Sequence, residues 1–346
     1  MTDPYLPPGG LDDLLDRLHV VALPMRVRFR GVTVREVVLI DGPAGWGEFG
    51  AFLEYEPPEA ASWLASGIES AYRARPSVCR TRIPVNATVP AVTVDRVPAV
   101  LQRFPGSTTA KVKVAEPGQT LADDVARVNA VRSAIPTVRV DANGGWTVEQ
   151  AVEAARALTA DGPLEYLEQP CRTVAELAEV RRRVGVPVAA DESIRKADDP
   201  LAVVRAGAAD LAVLKVAPLG GIGPVLEIAA QIDVPVVISS ALDSAVGIGA
   251  GLMAAGALPR LDHACGLGTG GLFVEDVVGS LEVVDGALPV VDVVPEPARL
   301  SALAAPGPRR DWWIARIRAC YPLLGSTSPS SISPKLTFGR EMPSST

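Results

Sequence analysis

From about Arg82 onward, short runs of β-branched residues alternate with stretches in which Ala, Val and Leu recur at helical spacing among Arg, Glu and Asp. The first kind reads as strand and the second as amphipathic helix, and their alternation predicts βα units around a parallel sheet. Strands are predicted at Ile83–Ala87, Ala110–Val114, Val138–Ala142, Glu165–Glu168, Val186–Ala190, Leu211–Val216 and Val234–Ser239, with a weaker eighth near Asp262–Cys265. Helices are predicted between them at Leu121–Ser133, Val148–Thr159, Val174–Val184 and Ile222–Ile232. The Val-Pro pairs at Val186 and Val234 mark where helix gives way to strand. Eight strands with interleaved helices fit an α/β barrel better than an open sheet, which commonly stops at about five or six strands.

The pattern changes on either side of this region. Val20–Phe29, Val32–Ile40 and the turn Gly42–Gly45 read as antiparallel hairpins, followed by a helix over Pro58–Ala74. Leu281–Val294 is strand-like again and is expected to return to the N-terminal unit. The expected organisation is an α+β capping domain over residues 1–81, a barrel over 82–280, a returning segment over 281–322 and a disordered tail over 323–346, the last rich in Ser, Pro and Thr without periodicity.

Composition narrows the partners. The chain has 346 residues, 48% hydrophobic and 21% charged, enough apolar material for a large core. A net charge of -7 gives no clustered Lys and Arg for nucleic acid or an anionic membrane, so a small molecule is the expected partner. Met1–Gly10 lacks a positively charged region before an apolar run and does not read as a secretory signal, so a cytoplasmic location is expected. The most apolar stretch, Ser244–Leu258, is 15 residues, short of the roughly 20 that a membrane span needs, and reads as a buried helix. Four widely spaced cysteines, without a C-x-x-C pair, read as reduced packing residues.

In a parallel barrel the C-terminal ends of the strands form one mouth, so the residues found there decide the chemistry. The predicted ends carry Lys111-Val112-Lys113, Asp141-Ala142-Asn143, Glu168-Gln169-Pro170, Asp191-Glu192 and Lys215. The steps are 28 residues from Lys113 to Asp141, 27 to Glu168, 23 to Asp191 and 24 to Lys215, each about one βα unit. Singly, an acid at a strand end is more often a helix cap, and Lys-Val-Lys more often a solvated edge. Recurrence at unit spacing favours convergence. Three buried acids repel one another unless a cation joins them, and oxygen ligation without His or Cys selects Mg²⁺, with Mn²⁺ possible. Lys111 and Lys113 leave one face of a strand and flank such an ion, with Lys215 opposite. Crowding of positive charge is one way to lower a lysine pKa into the range of a base.

These residues resemble the enolase superfamily, in particular its muconate lactonizing enzyme subgroup. The likeness rests on K-x-K at Lys111 and Lys113, V-D-A-N at Val140–Asn143, L-E-Q-P at Leu167–Pro170, A-D-E-S at Ala190–Ser193, L-K-V at Leu214–Val216, and Gly45-Trp46-Gly47-Glu48 in the N-terminal unit. The resemblance implies a (β/α)7β modified TIM barrel under the capping domain. It implies that Asp141, Glu168 and Asp191 are metal ligands and that Lys113 and Lys215 are the catalytic lysines. Lys111 would assist by binding a substrate carboxylate. Ser239 and Ser240 stand where the pattern puts small polar substrate contacts, with Arg139, Asn143 and the loop Leu23–Arg26 as weaker ones. The run Met25–Gly31 with Val34-Arg35-Glu36 is most similar to an actinobacterial branch of dehydratases in menaquinone biosynthesis. The implied reaction is syn dehydration of 2-succinyl-6-hydroxy-2,4-cyclohexadiene-1-carboxylate to 2-succinylbenzoate.

Two other readings stay open. A racemase of N-succinyl amino acids or a dipeptide epimerase needs the same five residues, although Asp262-His263-Ala264 lacks the Asp-x-Asp usual in dipeptide epimerases. A metal-bound binding protein without catalysis leaves the lysines unexplained. His263 reads as structural, Gly247, Gly249 and Gly251 as helix packing, Gly266–Gly271 as backbone room beside a substrate, and Trp312-Trp313 as a surface or interface anchor.

Overall fold

Hydrophobic alternation near the N-terminus folds into β1 (Leu18–Phe29) and β2 (Val32–Gly42), paired antiparallel through Arg30-Gly31, both at positive φ. That two-residue turn matches the right-handed twist of the strands it joins. β3 (Gly45–Phe49) extends the sheet, and a helix at Pro57–Tyr72 lies across it. The close approach depends on Gly47: a Cβ there would collide with the carbonyl of Gly67 on the helix. Leu23, Leu39, Ile40, Phe49, Trp63 and Leu64 are buried between the layers. The computed structural model describes residues 6–196, 199–279 and 281–326.

The chain then enters β4 (Arg82–Pro84) and β5 (Ala87–Val89). β6 (Thr109–Lys113), β7 (Thr137–Asp141), β8 (Leu167–Glu168), β9 (Val188–Ala190), β10 (Leu211–Lys215) and β11 (Val236–Ser239) follow, and β5 to β11 form one parallel sheet in sequential order. The expected eighth strand is reduced to two parallel bridges, Val85 with Cys265 and Ser239 with Gly266, which join the two edges of the sheet. Gly266 permits this, because a Cβ there would strike the Ser239 hydroxyl. Helices at Leu121–Arg132, Val148–Thr159 and Val174–Arg183 each start with a reciprocal capping box, Thr120 with Asp123, Thr147 with Gln150 and Thr173 with Glu176. Such caps fix where each βα loop ends.

Prolines shift several boundaries. The strand expected at Ile83–Ala87 breaks in two after Pro84, β4 leaving the parallel sheet to pair antiparallel with β12 (Ala287–Pro289). β9 and β11 begin after Pro187 and Pro235 rather than at the preceding Val, since proline cannot donate to a ladder. The segment expected to return at Leu281–Val294 therefore pairs beside the barrel's first strand. Leu281 and Val293 also pack against the core of the cap, and the helix Gly307–Cys320 reaches it further on, where Trp313 packs edge-on against Phe49, ring centroids 5.4 Å apart, and donates to Glu36 at 2.9 Å. The tail expected from residue 323 starts with a 3-10 turn, Tyr321–Ser326, that buries Leu324, and residues 327–346 lie outside the described residues. No described helix is long and apolar enough to cross a membrane. All four cysteines are free.

Glu48, the acid of the Gly-Trp-Gly-Glu motif, joins the two units. Its carboxylate accepts from the backbone N–H of Ser244 and of Gly247 and from the Ser244 hydroxyl, at the start of the buried helix Ala245–Ala257. Burial, followed by the nearby charge of Asp243, pushes its pKa up to about 8 despite those donors. A carboxyl whose folded pKa lies above its unfolded value favours the folded state when protonated, so its contribution is lost as pH rises from about 4.5 to about 8. Replacing Glu48 by Gln should flatten the decline of stability over that interval, which at most amounts to about 1.4 kcal/mol per pH unit for one proton. Urea denaturation at stepped pH measures the slope.

Candidate active site

The βα repeat delivers the charged residues to one rim, and the strand register lines them up. Lys113 stands opposite Asp141, Asp141 opposite Glu168, and Lys215 opposite Ser239. Asp191 follows β9 directly, at the N-cap position of the short helix Glu192–Arg195, yet its side chain makes no capping bond. It turns inward. The carboxyl-terminal ends of β6 to β10 thus present three carboxylates and three ammoniums, all but Lys113 buried.

Lysines on β6 and β10 flank the three carboxylates of the strands between them, and each carboxylate meets at least one ammonium. Lys111 Nζ reaches Glu168 at 2.9 and 3.1 Å and Asp141 at 3.4 Å. Lys113 Nζ lies 2.5 Å from Asp141 Oδ2 and 2.6 Å from Asn143 Oδ1, and Lys215 Nζ lies 2.5 Å from Asp191 Oδ2. Arg195 Nε takes the other oxygen of Asp191 at 3.1 Å. Burial opposes ionisation of every acid here, and the outcome depends on its neighbours. Lys113 and Lys111 overcome burial at Asp141 and hold its carboxyl well below the usual range, and Lys215 and Arg195 hold Asp191 down to about 2. At Glu168 burial wins, aided by the charge of Asp141 and against that of Lys111, and the pKa rises to about 7. Burial also works against the Lys111 ammonium, but Glu168 and Asp141 outweigh it and raise its pKa. Crowding of positive charge therefore does not lower Lys111.

The expected substrate contacts divide. Asn143, Ser239 and Ser240 line the same cavity as Lys111, Lys113, Asp141 and Lys215. Arg139 does not. Its guanidinium lies a layer deeper, bonded to Glu165 at 2.7 Å, Tyr166 at 2.9 Å and the Ala264 carbonyl at 2.8 Å, where His263 also bonds Glu165 at 2.8 Å. Two residues before Asp141 on the same face of β7, it is fully buried among these partners, with His263 beside it. Leu23–Arg26, expected as a loop, lies within β1 and is likewise absent from the cavity wall: Arg26 donates to the carbonyls of Phe273 and Val274.

Sequence reasoning missed several residues. Phe29, Arg30 and Phe52 descend from the cap over the mouth, while Thr88 and Thr269 complete the wall. The cavity between them measures about 40 Å³. Beyond Phe29 and Arg30 it borders a larger cavity of about 590 Å³, edged by Arg28, Glu116 and Arg172. Gln169, in the L-E-Q-P motif, adopts φ 38 and aims its side-chain oxygen at the backbone N–H of Asp191 and Ser193, 3.0 and 3.2 Å away. Its motif was the signal: the amide clips the strand end that carries Asp191.

Among the described residues no three acids, histidines or cysteines close on a common point, and each carboxylate of the row is paired to an ammonium. The donor set nevertheless fits a hard divalent cation: three buried carboxylates, all oxygen, near enough that Asp141 and Asp191 each raise the pKa of Glu168. The oxygens that would hold such an ion are those now held by lysine.

The comparisons agree with this architecture. Residues 96–296 match the family described as enolase C-terminal domain-like and residues 20–71 the one described as enolase N-terminal domain-like. The structure resembles that of muconate lactonizing enzyme from Pseudomonas fluorescens complexed with muconolactone, with a TM-score of 0.71 and 22% identity, covering 84% of this chain and 98% of that one. The fold and site thus define an α/β barrel of the enolase superfamily with its N-terminal cap. Within it, the chain is 75% identical over 317 residues to the o-succinylbenzoate synthase of Mycobacterium marinum (92% of this chain, 97% of the relative) and 74% identical over 315 residues to that of Mycolicibacterium smegmatis (91% and 98%). The chain belongs to the o-succinylbenzoate synthase family, which are carbon–oxygen lyases.

Removing the Lys111 charge should expose what it neutralises. Lys111→Met leaves Glu168 buried without its main partner, a loss of roughly 3–5 kcal/mol where the carboxyl is ionised. The loss should be smaller at pH 5, where Glu168 holds a proton, than at pH 8. Equal losses at both pH values in urea denaturation would contradict the pairing.

Proposed function

We propose that this chain dehydrates 2-succinyl-6-hydroxy-2,4-cyclohexadiene-1-carboxylate to 2-succinylbenzoate, with Lys113 as base and acid and Lys215 as the opposing charge. The observation that carries the reading is the row of three carboxylates with Lys113 and Lys215 both lining one small cavity. A Mg²⁺ ion, or Mn²⁺, held by Asp141, Glu168 and Asp191 would act as a Lewis acid on the substrate carboxylate.

The chain's own residues supply the rest. Neutral Lys113 takes the proton from the carbon bearing the carboxylate, and the electron pair left behind is delocalised into that carboxylate. Lys215 places a positive charge beside the developing negative charge. Lys113, now an ammonium, returns the proton to the hydroxyl on the neighbouring carbon, which departs as water from the same face and leaves an aromatic ring. Asn143 Oδ1, bonded to Lys113 Nζ, orients that amine through both steps. Ser239 and Ser240 face the cavity and suit the succinyl carboxylate. A place in menaquinone biosynthesis and a cytoplasmic setting go with this reading.

Purified protein incubated with the cyclohexadiene substrate should produce 2-succinylbenzoate, followed by its absorbance. Activity should vanish on EDTA treatment and return with Mg²⁺. Lys113→Ala and Lys215→Ala should each lower kcat by about 10²–10⁴-fold, the range for loss of a positioned proton-transfer group. Turnover by the EDTA-treated protein, or by Lys113→Ala at the wild-type rate, would exclude the scheme.

A further inference from the structure

One buried guanidinium connects both catalytic lysines to the cap. Arg195 lies one turn beyond Asp191, its side chain 3% exposed. Its Nε donates to Asp191 Oδ1 at 3.1 Å, leaving Oδ2 for Lys215 at 2.5 Å. Its Nη2 donates to Glu192 Oε1 at 2.7 Å, and the same oxygen accepts from Asn143 Nδ2 at 3.1 Å. Asn143 in turn accepts from Lys113 at 2.6 Å. A continuous chain of polar contacts therefore runs from Lys215 through Asp191, Arg195, Glu192 and Asn143 to Lys113. The remaining nitrogen, Nη1, faces Tyr55 Oη at 3.4 Å, and Tyr55 also accepts from Arg30 Nη2 at 2.8 Å. Both Tyr55 and Arg30 belong to the cap, Arg30 in the tip of the β1–β2 hairpin and stacked on Phe52 at 4.3 Å from its ring centroid. Lys196, next to Arg195, lies over the Tyr55 ring at 4.4 Å from its centroid and secures the same contact.

We propose that Arg195 is a positioning residue that sets the partners of both lysines at once, and that Tyr55 makes this setting depend on a seated cap. Arg195 is not in the wall of the catalytic cavity and touches no reacting atom. Its planar fork suits the task, because three directed N–H groups leave one carbon at fixed angles, which an ammonium cannot reproduce. Seating of the hairpin and alignment of Asp191 then occur together, so the site is fully assembled only when it is closed. A purely structural salt bridge would stabilise the short helix Glu192–Arg195 without altering what Asp191 can hold.

This inference rests on the assignment of Asp191 as a metal ligand, and its test separates the two. Mn²⁺ binding to the full-length protein, without substrate, is measured by electron paramagnetic resonance for wild type, Arg195→Met, Arg195→Lys and Tyr55→Phe, with thermal melts alongside. The dissociation constant should rise about 10–100-fold in Arg195→Met, the range for loss of an outer-shell partner. It should rise about threefold or more in Tyr55→Phe, whose ring still packs, and Arg195→Lys should recover only part of the loss. At saturating Mg²⁺, kcat should fall in Arg195→Met with KM for substrate within about threefold of wild type. Should Arg195→Met not fold, Tyr55→Phe decides alone. Wild-type Mn²⁺ affinity in Tyr55→Phe would overturn the link to the cap, and in both Tyr55→Phe and Arg195→Met the whole inference. Failure of the wild type itself to bind Mn²⁺ would overturn the metal assignment, and this inference with it.

Discussion

Burying three carboxylates at the ends of neighbouring strands is tolerable only because each meets a positive charge at hydrogen-bond distance. Alone, any one of them would lose several kcal/mol of solvation and take up a proton. Asp141 avoids this through two lysines and Asp191 through Lys215 and Arg195, whereas Glu168, with Lys111 as its main partner, sits near its point of protonation. Their placement side by side is set by β-sheet register. Because Lys113, Asp141 and Glu168 are register partners on successive strands, their side chains emerge side by side without any special loop. The site is thereby preorganised by the central sheet, and the energetic burden of the charges is borne by pairing.

The cap depends on the same logic at its edges. Glu48 meets the start of the helix after β11, and Arg35 donates to the Leu242 carbonyl, so the N-terminal sheet is fixed over the mouth by polar contacts at a buried junction. Phe29, Arg30 and Phe52 then line the cavity on its cap side. A separate cavity of about 640 Å³ between Arg103, Leu267 and Phe273 contains none of the charged row and lies outside this arrangement.

Much of this was legible in the sequence, for a physical reason. In a βα repeat the spacing of one unit converts directly into lateral neighbours at one rim, so Lys111, Lys113, Asp141, Glu168, Asp191 and Lys215 were found by counting. Depth along a strand is harder. Arg139 and Asp141 share a face of β7 and differ by two residues, a rise of about 6.6 Å, and only the contacts with Glu165 and Tyr166 reveal that Arg139 is buried away from the cavity. The eighth strand was marked too generously, because Gly266 and its neighbour complete the ring with two bridges rather than a ladder. Arg195 and Tyr55 carried no periodic signal at all. One lies on a single-turn helix and the other on a loop of the cap, and their meeting is a matter of tertiary structure.

The central claim is that the three carboxylates share one divalent ion while two lysines face the substrate across it. A crystal structure of the protein with Mg²⁺ and 2-succinylbenzoate tests it directly. The account predicts one ion bound by Asp141, Glu168 and Asp191, the lysines displaced from those oxygens, and Lys113 and Lys215 on opposite sides of the ring. An ion held elsewhere, or product bound with either lysine still turned to its carboxylate and away from the ring, would contradict it.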